Sequence, residues 1–142
     1  MAWNPWRTLR TRRHITLHRT PLHGPLRGIY APRGDRAVIL LDTNLSRRER
    51  AATLAHELVH DERGGGADAE WMPATWAAVV ARDEATVERI AALRLLPADE
   101  LVEWLASRID LGGVTAWEIA DAFDVTETVA KTCADTLDQS AA

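Results

Sequence analysis

Short apolar segments separated by turn residues occupy the first third of the chain and predict β-strands. Residues 14–18 alternate polar and apolar side chains, as a strand with one buried face would. Residues 27–30 form a second short segment, and residues 36–42 form an apolar run between two turns. The turns are predicted at residues 20–25 and 32–35, where Pro and Gly concentrate. The pattern therefore predicts a small antiparallel sheet of about three strands.

From residue 46 onward the apolar residues follow the period of amphipathic helices. Ser46 and Glu49 have the spacing of a capping box, which satisfies free backbone N–H groups at a helix start. The run Gly64–Gly66 predicts the end of this helix. Four further helices are predicted, over residues 74–96, 98–108, 114–123 and 126–137. The predicted fold class is therefore α+β, with the sheet followed by a mostly helical domain and a C-terminal helical pair.

The length and composition fit one main domain with a small extension. The chain has 142 residues, of which 46% are hydrophobic and 27% are charged, as is typical of globular proteins. We expect a main domain over residues 1–110 and a helix-turn-helix-like extension over residues 111–142 that packs on it. No stretch reaches the ~20 continuous apolar residues of a membrane span, and no apolar signal segment follows Met1. We expect a cytoplasmic protein with no membrane association.

Charge is distributed unevenly between the two parts of the chain. Residues 1–50 carry eleven Arg and three acidic residues, a net charge of +8, whereas residues 51–142 carry six basic and eighteen acidic residues, a net charge of −12. We expect the two parts to neutralise each other within one fold, because the basic part lacks the interleaved aromatic residues of a nucleic-acid-binding surface. Cys133 is the only cysteine, which excludes an internal disulfide and a cysteine-rich metal site.

The run His56–His60, with the sequence His-Glu-Leu-Val-His, lies in the helix predicted to begin near Ser46. Residues four apart share a helix face, so His56 and His60 can direct both imidazoles at one metal ion. Glu57 then lies beside the metal, where a general base for a water molecule is needed. This spacing is the signature of zinc peptidases. It predicts a Zn²⁺ site with Glu57 as the catalytic residue, and manganese and iron remain alternative metals.

A catalytic zinc site needs a third protein ligand besides two histidines. No histidine follows His60, whereas the next predicted helix carries Asp83, Glu84 and Glu88. Glu84 and Glu88 are four residues apart and share one helix face, so one can bind the metal while the other hydrogen-bonds a ligand. These residues by themselves leave the choice of third ligand open.

The same region resembles a known peptidase family. The motif His56–His60 follows a basic, capped helix start, and a later acidic helix closes on the run Arg94-Leu95-Leu96-Pro97-Ala98-Asp99-Glu100-Leu101. Together these features look like the ImmA/IrrE metallopeptidases over about residues 36–105, and the tail from Val114 is similar to the helical extension of many members. The resemblance implies a zincin-like fold and the activity of a zinc metallo-endopeptidase.

In this family the third ligand is usually a Glu in a Glu-Ala-Asn-type segment that precedes a Leu-Leu-Met-Pro sequence. The corresponding position, counted back from Pro97, falls near Thr86, which cannot replace a carboxylate. Counted from His60, Glu88 at 28 residues fits the family's spacing better than Glu84 at 24 residues. The resemblance therefore favours Glu88 as the third zinc ligand, with Glu84 as the alternative.

Zincins generally bind the substrate backbone along an edge strand that precedes the motif helix, and residues 36–42 are the natural counterpart. Val38, Ile39 and Leu40 are therefore expected to contact the substrate. The donor that stabilises the oxyanion is not identified by the sequence. Its candidates are Tyr30, His14, His18 and His23.

The resemblance also implies a substrate class, because family members are associated with cleaving helix-turn-helix repressors in phage, mobile-element or stress regulons. The alternative is an inactive, metal-containing relative that acts as a protein-binding regulatory module. Residues 114–126 themselves look like part of a helix-turn-helix, but the second helix carries Glu127, Asp135 and Asp138, and DNA phosphates repel an acidic helix. We therefore expect a protein partner and no direct DNA binding. The cleavage site, any inducer and the oligomeric state are left open.

Overall fold

The protein is described from a computed structural model that covers residues 3–64, 74–108 and 112–142, and the side chains of residues 74–82 are outside this description. The predicted helix stop at Gly65 and Gly66, and the predicted domain boundary between residues 110 and 111, lie outside the described residues. The elements in chain order are α1 (Pro5–Thr11), β1 (Ile15–Thr20), β2 (Gly28–Arg33), β3 (Arg36–Asp42), α2 (Arg47–Glu62), α3 (Ala74–Leu95), α4 (Ala98–Ala106), α5 (Ala116–Phe123) and α6 (Glu127–Ala141).

The predicted α+β fold class is confirmed, with a three-stranded sheet and a mostly helical remainder. One helix, α1, was absent from the predicted elements. Asn4 caps it by accepting a hydrogen bond from the backbone N–H of Trp6 at 2.9 Å, and Pro5 occupies its first turn. An Asn followed by Pro is a helix-start signal that the sequence carried.

The sheet is mixed, so the prediction of a wholly antiparallel sheet is wrong. The strand order is β1-β3-β2, with β1 parallel and β2 antiparallel to β3. The chain reverses its direction between β1 and β2 and again between β2 and β3, so β1 and β3 run in the same direction. Because β3 is the central strand, it pairs with β1 as well as with β2. A two-residue turn at Gly34, with φ +63°, joins β2 to β3. Pro32 is tolerated within β2 because that strand lies at the sheet edge.

Helix α2 is packed between the sheet and α3. Its Leu54 and Leu58 are fully buried against a cluster of sheet residues that includes Ile39 and Leu41. On another face of α2, Ala55 and Val59 pack against Val87 and Ala91 of α3. Burial of apolar side chains on these two faces fixes the position of α2. The polar residues His56, Glu57 and His60 of the same helix belong to neither apolar cluster.

The C-terminal helical pair, α5 and α6, packs on the rest of the chain. Its core residues are buried together with residues of α3 and α4; the cluster contains Ala92, Leu96, Leu101, Ile119, Ala120, Val125, Val129, Ala130 and Cys133. The turn between α5 and α6 is also held to the start of α2. There Asp124 accepts hydrogen bonds from Arg47 at 2.6 and 2.7 Å and from Arg48 at 2.8 Å. This pairing of the basic N-terminal part with the acidic C-terminal part is the kind expected from the charge distribution.

A search for membrane spans over the described residues found no helix with the length and hydrophobicity to cross a membrane.

Candidate metal centre

The centre is built on α2, which begins with the predicted capping box. Glu49 N–H donates to the Ser46 hydroxyl at 3.2 Å, and Ser46 N–H donates to the Glu49 carboxylate at 2.8 Å. The helix then continues without interruption through His56, Glu57 and His60. The Nε2 atoms of the two histidines lie 3.2 Å apart, one turn from each other on the same face. The local prediction that the two imidazoles converge is therefore confirmed.

A carboxylate from α3 completes the cluster. Glu84 Oε2 lies 2.9 Å from His56 Nε2, and Glu84 Oε1 lies 2.7 Å from His60 Nε2. Among the described residues, His56, His60 and Glu84 form the group whose potential ligand atoms all lie within 4.8 Å of one another. Two nitrogens and a carboxylate thus point at one location from two helices.

This donor set fits zinc. Two imidazoles and one Glu are a recurrent ligand set of catalytic zinc, which keeps its fourth position for water. Ligand atoms at ~2.0 Å from a tetrahedral zinc ion lie ~3.3 Å from one another, close to the 2.7 to 3.2 Å found here. Burial lowers the pKa of His60, and a neutral imidazole is the form that binds a metal.

Glu57 lies beside this cluster in a buried position. The residue is only 6% exposed, and burial, followed by the negative charge of Glu84, raises its pKa to about 8. A cation between His56, His60 and Glu84 would favour the ionised carboxylate again, because its positive charge opposes both effects. Glu57 is thus placed to exchange a proton next to the metal position.

A cleft of about 270 Å³ opens beside His56 and Glu57. The start of β2 and the preceding loop form one side, α3 forms another, and α6 contributes the third side. The lining residues are Pro25, Leu26, Arg27, Gly28, Ala52, Thr53, His56, Glu57, Glu88, Ala91, Ala92, Leu95, Thr126, Thr128, Val129 and Thr132. The cleft therefore gives access to both His56 and Glu57.

A family model for the IrrE N-terminal-like domain matches residues 11–132, which is 122 of the 142 residues. The chain belongs to this peptidase family. The match confirms the resemblance seen in the sequence and supports a function of metallopeptidase type. A search of curated proteins found no match to the chain.

In this IrrE-like domain the structure brings Glu84, the predicted alternative, to the histidines, whereas Glu88 is outside the cluster. Glu88 lies one turn further along α3, ~6 Å along the helix axis, where it lines the cleft with His56 and Glu57. Asp83 pairs with Arg63 at 2.6 Å. The spacing argument favoured Glu88, but chain length between two helices does not determine the rotation of the second helix.

Two of the four candidates for the oxyanion donor are bound to Asp61. The Tyr30 hydroxyl donates to Asp61 Oδ1 at 2.7 Å, and His14 Nε2 lies 2.9 Å from the same oxygen. Burial, followed by the hydrogen bond to Asp61, raises the pKa of Tyr30 to about 12. His18 and His23 are exposed, outside the metal cluster. Tyr30 and His14 therefore anchor the end of α2 to the sheet region in this IrrE-like domain.

The expectation that Val38, Ile39 and Leu40 lie on an edge strand is wrong. Strand β3 is hydrogen-bonded to β1 on one side and to β2 on the other, and Ile39 is fully buried. The edge strand beside α2 is β2. A Cβ atom at Gly28 would lie 3.1 Å from Glu57 Oε1, so this strand passes directly against the Glu57 side chain. Pro32 in residues 28–33 is the available sequence signal for an edge strand.

Proposed function

We propose that the protein is a zinc-dependent endopeptidase in which His56, His60 and Glu84 bind the metal and Glu57 is the general base. The observation that carries this proposal is the convergence of two imidazoles and one carboxylate next to a buried Glu. It occurs in a chain that belongs to a peptidase family. A metal site that served only to stabilise the fold would not need a buried carboxylate beside it at the edge of a cleft.

Zinc held by these residues would act as a Lewis acid, lowering the pKa of a water molecule to ~7 and polarising the scissile carbonyl. Glu57 accepts the proton of the attacking water and then donates it to the leaving amine. Its buried position keeps the carboxylate close to the reacting atoms and away from bulk solvent. Gly28 leaves space for this carboxylate, because a Cβ atom there would lie 3.1 Å from Glu57 Oε1.

The outer edge of β2 is the best place for the substrate backbone. Strand β2 pairs with β3 on one side and is at the end of the described sheet on the other. An extended peptide that adds to this edge would form main-chain hydrogen bonds, and pockets for its side chains would give specificity. Because Gly28 lies beside Glu57, a peptide paired with the first residues of β2 would pass the general base.

For the substrate we propose a protein, and specifically a helix-turn-helix repressor of a phage, mobile-element or stress regulon, acted on in the cytoplasm. This part of the proposal is supported by the ImmA/IrrE resemblance. Helix α6, the second helix of the helix-turn-helix-like pair, does not offer a face for DNA. Its Val129 and Cys133 are buried, its Thr128 lines the cleft, and its exposed residues include Glu127 and Asp138, so DNA phosphates would meet negative charge.

The test is to incubate zinc-loaded protein with each repressor encoded beside its gene and to identify fragments by mass spectrometry. We expect one repressor to be cut by the wild type and to remain intact with Glu57→Gln, which should keep its zinc. If a repressor binds equally to both forms and is cut by neither, the protein is a binding module and the endopeptidase proposal fails. Trace protease contamination is excluded because Glu57→Gln is purified in the same way.

A further inference from the structure

We propose that α6 forms a wall of the substrate cleft and that its Thr128 and Thr132 determine which substrate side chain is accepted beside the scissile bond. This inference deepens the proposed peptidase function and rests on it. It gives the C-terminal helical pair a role in selecting the substrate. The occupant is a single apolar side chain of an extended peptide.

The position of α6 in the cleft carries the argument. Thr126, Thr128, Val129 and Thr132 line the same cleft as His56 and Glu57, so α6 is continuous with the site of the chemistry. Thr128 is exposed, whereas Val129 and Cys133 of the same helix are buried. The hydroxyl and methyl groups of Thr128 are therefore available to an incoming group without any change in the core.

The chemistry and size of the cleft indicate the occupant. Apart from His56, Glu57, Glu88 and Arg27, the lining consists of small apolar residues, threonines and a glycine; the apolar members are Pro25, Leu26, Ala52, Ala91, Ala92, Leu95 and Val129. Its volume of about 270 Å³ is just below the ~300–1,000 Å³ of ordinary ligand pockets. One apolar side chain fits such a space, and a folded helix does not.

Helix α6 is held rigidly by its packing, and residues that determine specificity must be held in this way. Behind Thr128 and Thr132, the buried Val129, Ala130 and Cys133 pack in one core with residues of α3 and α4. At the start of α6, Thr126 caps the helix by accepting the N–H of Val129 at 3.1 Å. Its neighbour Asp124 is bound by Arg47 and Arg48 at the start of the metal-binding helix α2. The wall and the metal centre are therefore parts of one packed unit.

A second, more polar groove lies along the seam between α3 and α6 and shares two lining residues with the cleft. Its lining residues are Ala85, Glu88, Arg89, Thr132, Asp135, Thr136 and Gln139, and its volume is about 320 Å³. Glu88 and Thr132 line both spaces. Thr132 therefore lies at the boundary between the apolar cleft and the polar groove. A peptide whose apolar side chain occupies the cleft can place its next polar residues along this seam.

The experiment compares two hydroxamates on the zinc-loaded chain by isothermal titration calorimetry, which needs no turnover. Acetohydroxamic acid carries only a zinc-binding group, and 4-methylpentanohydroxamic acid adds only an isobutyl side chain. The variants are Thr128→Phe, which fills the cleft from an exposed position, and Thr128→Val, which keeps its volume. The matched control is Asp138→Phe, which adds the same ring to α6 at an exposed position outside both spaces.

We expect the wild type, Thr128→Val and Asp138→Phe to bind 4-methylpentanohydroxamic acid about 10-fold or more tightly than acetohydroxamic acid, as for a buried isobutyl group. Thr128→Phe should lose this advantage while binding acetohydroxamic acid as the wild type does. An advantage retained in Thr128→Phe, or absent in the wild type, overturns the assignment of the cleft and leaves the metal site standing. If neither compound binds the wild type, the zinc peptidase proposal itself fails.

Discussion

Glu84 Oε1 lies 2.7 Å from His60 Nε2, although the two residues are 24 positions apart in the chain. The other oxygen of the same carboxylate lies 2.9 Å from His56 Nε2, so Glu84 spans both imidazoles. Its neighbour Asp83 is held by Arg63 at 2.6 Å, just beyond the end of α2. Both contacts agree with a rotation of α3 that turns Glu84 toward the histidines and leaves Glu88 in the lining of the cleft.

The close approach of β2 to α2 predicts a specific effect of Gly28→Ala. The added Cβ would lie 2.5 Å from Thr53 Cγ2 and 3.1 Å from Glu57 Oε1, so β2 or Glu57 must shift. We expect a loss of kcat/KM of about 10–100-fold, because a small displacement of a catalytic group has effects of this size. Zinc content should stay near that of the wild type, since no proposed ligand is touched.

Two further variants make this prediction specific. Adding Thr53→Ser to Gly28→Ala removes the methyl group in closest contact and should restore a large part of the activity. Gly113→Ala is the control, because a Cβ there meets nothing within 4 Å, and its activity should equal that of the wild type. Full activity of Gly28→Ala would show that Glu57 does not need the space at this position.

Tyr30 is predicted to stabilise the fold and to take no part in turnover. Its hydroxyl donates to Asp61 at 2.7 Å, and Arg12 donates to the same carboxylate at 3.2 Å and to the Leu58 carbonyl at 2.9 Å. Tyr30→Phe should lower the free energy of unfolding by about 1–2 kcal/mol, the contribution of one such hydrogen bond. Urea unfolding and steady-state kinetics measure the two effects. A large fall in kcat without a loss of stability would instead identify Tyr30 as an oxyanion donor.

The ion pairs of Asp124 with Arg47 and Arg48 at the start of α2 predict a pH dependence of the free energy of unfolding. Hydrogen bonds from Arg47 and then Arg48 lower the pKa of Asp124 from 3.8 to about 2. Because the folded pKa is the lower one, the stabilisation is complete above pH 3.8 and is lost as the pH falls toward about 2. The effect is small, since these side chains are exposed.

Asp124→Asn isolates this contribution. Asn also tolerates the left-handed conformation at this position, where φ is +56°. The wild type should be more stable than Asp124→Asn at pH 6, and the difference should shrink between pH 4 and pH 2 in urea titrations. A difference that stays constant down to pH 2 would mean that the carboxylate charge does not hold the C-terminal pair to α2.

Features that depend only on residues close together along the chain could be predicted from the sequence. The capping box of Ser46 and Glu49 and the shared face of His56 and His60 follow from helix geometry alone, and both are confirmed. The α+β class also followed from the change of apolar period near residue 46. The helix-start signal of Asn4 and Pro5 is a local feature of the same kind.

Long-range relationships could not be derived in the same way. The position of β3 between β1 and β2 depends on which edge each strand joins, and the apolar run in residues 36–42 is compatible with several orders. The choice between Glu84 and Glu88 depends on the rotation of α3, which is set by packing of Val87 and Ala91 on α2. The contribution of α6 to the cleft likewise depends on how the C-terminal pair packs.

Zinc content tests the central claim most directly. The wild type and single-site variants are purified without added metal and analysed by inductively coupled plasma mass spectrometry, with protein determined by amino-acid analysis. We predict close to one zinc per chain for the wild type and for Glu88→Ala, and little zinc for His56→Ala, His60→Ala and Glu84→Ala. Loss of a ligand should remove most of the affinity, whereas loss of an outer partner typically weakens it only ~10–100-fold. Full zinc content in Glu84→Ala, or its loss in Glu88→Ala alone, would contradict the assignment of the metal centre.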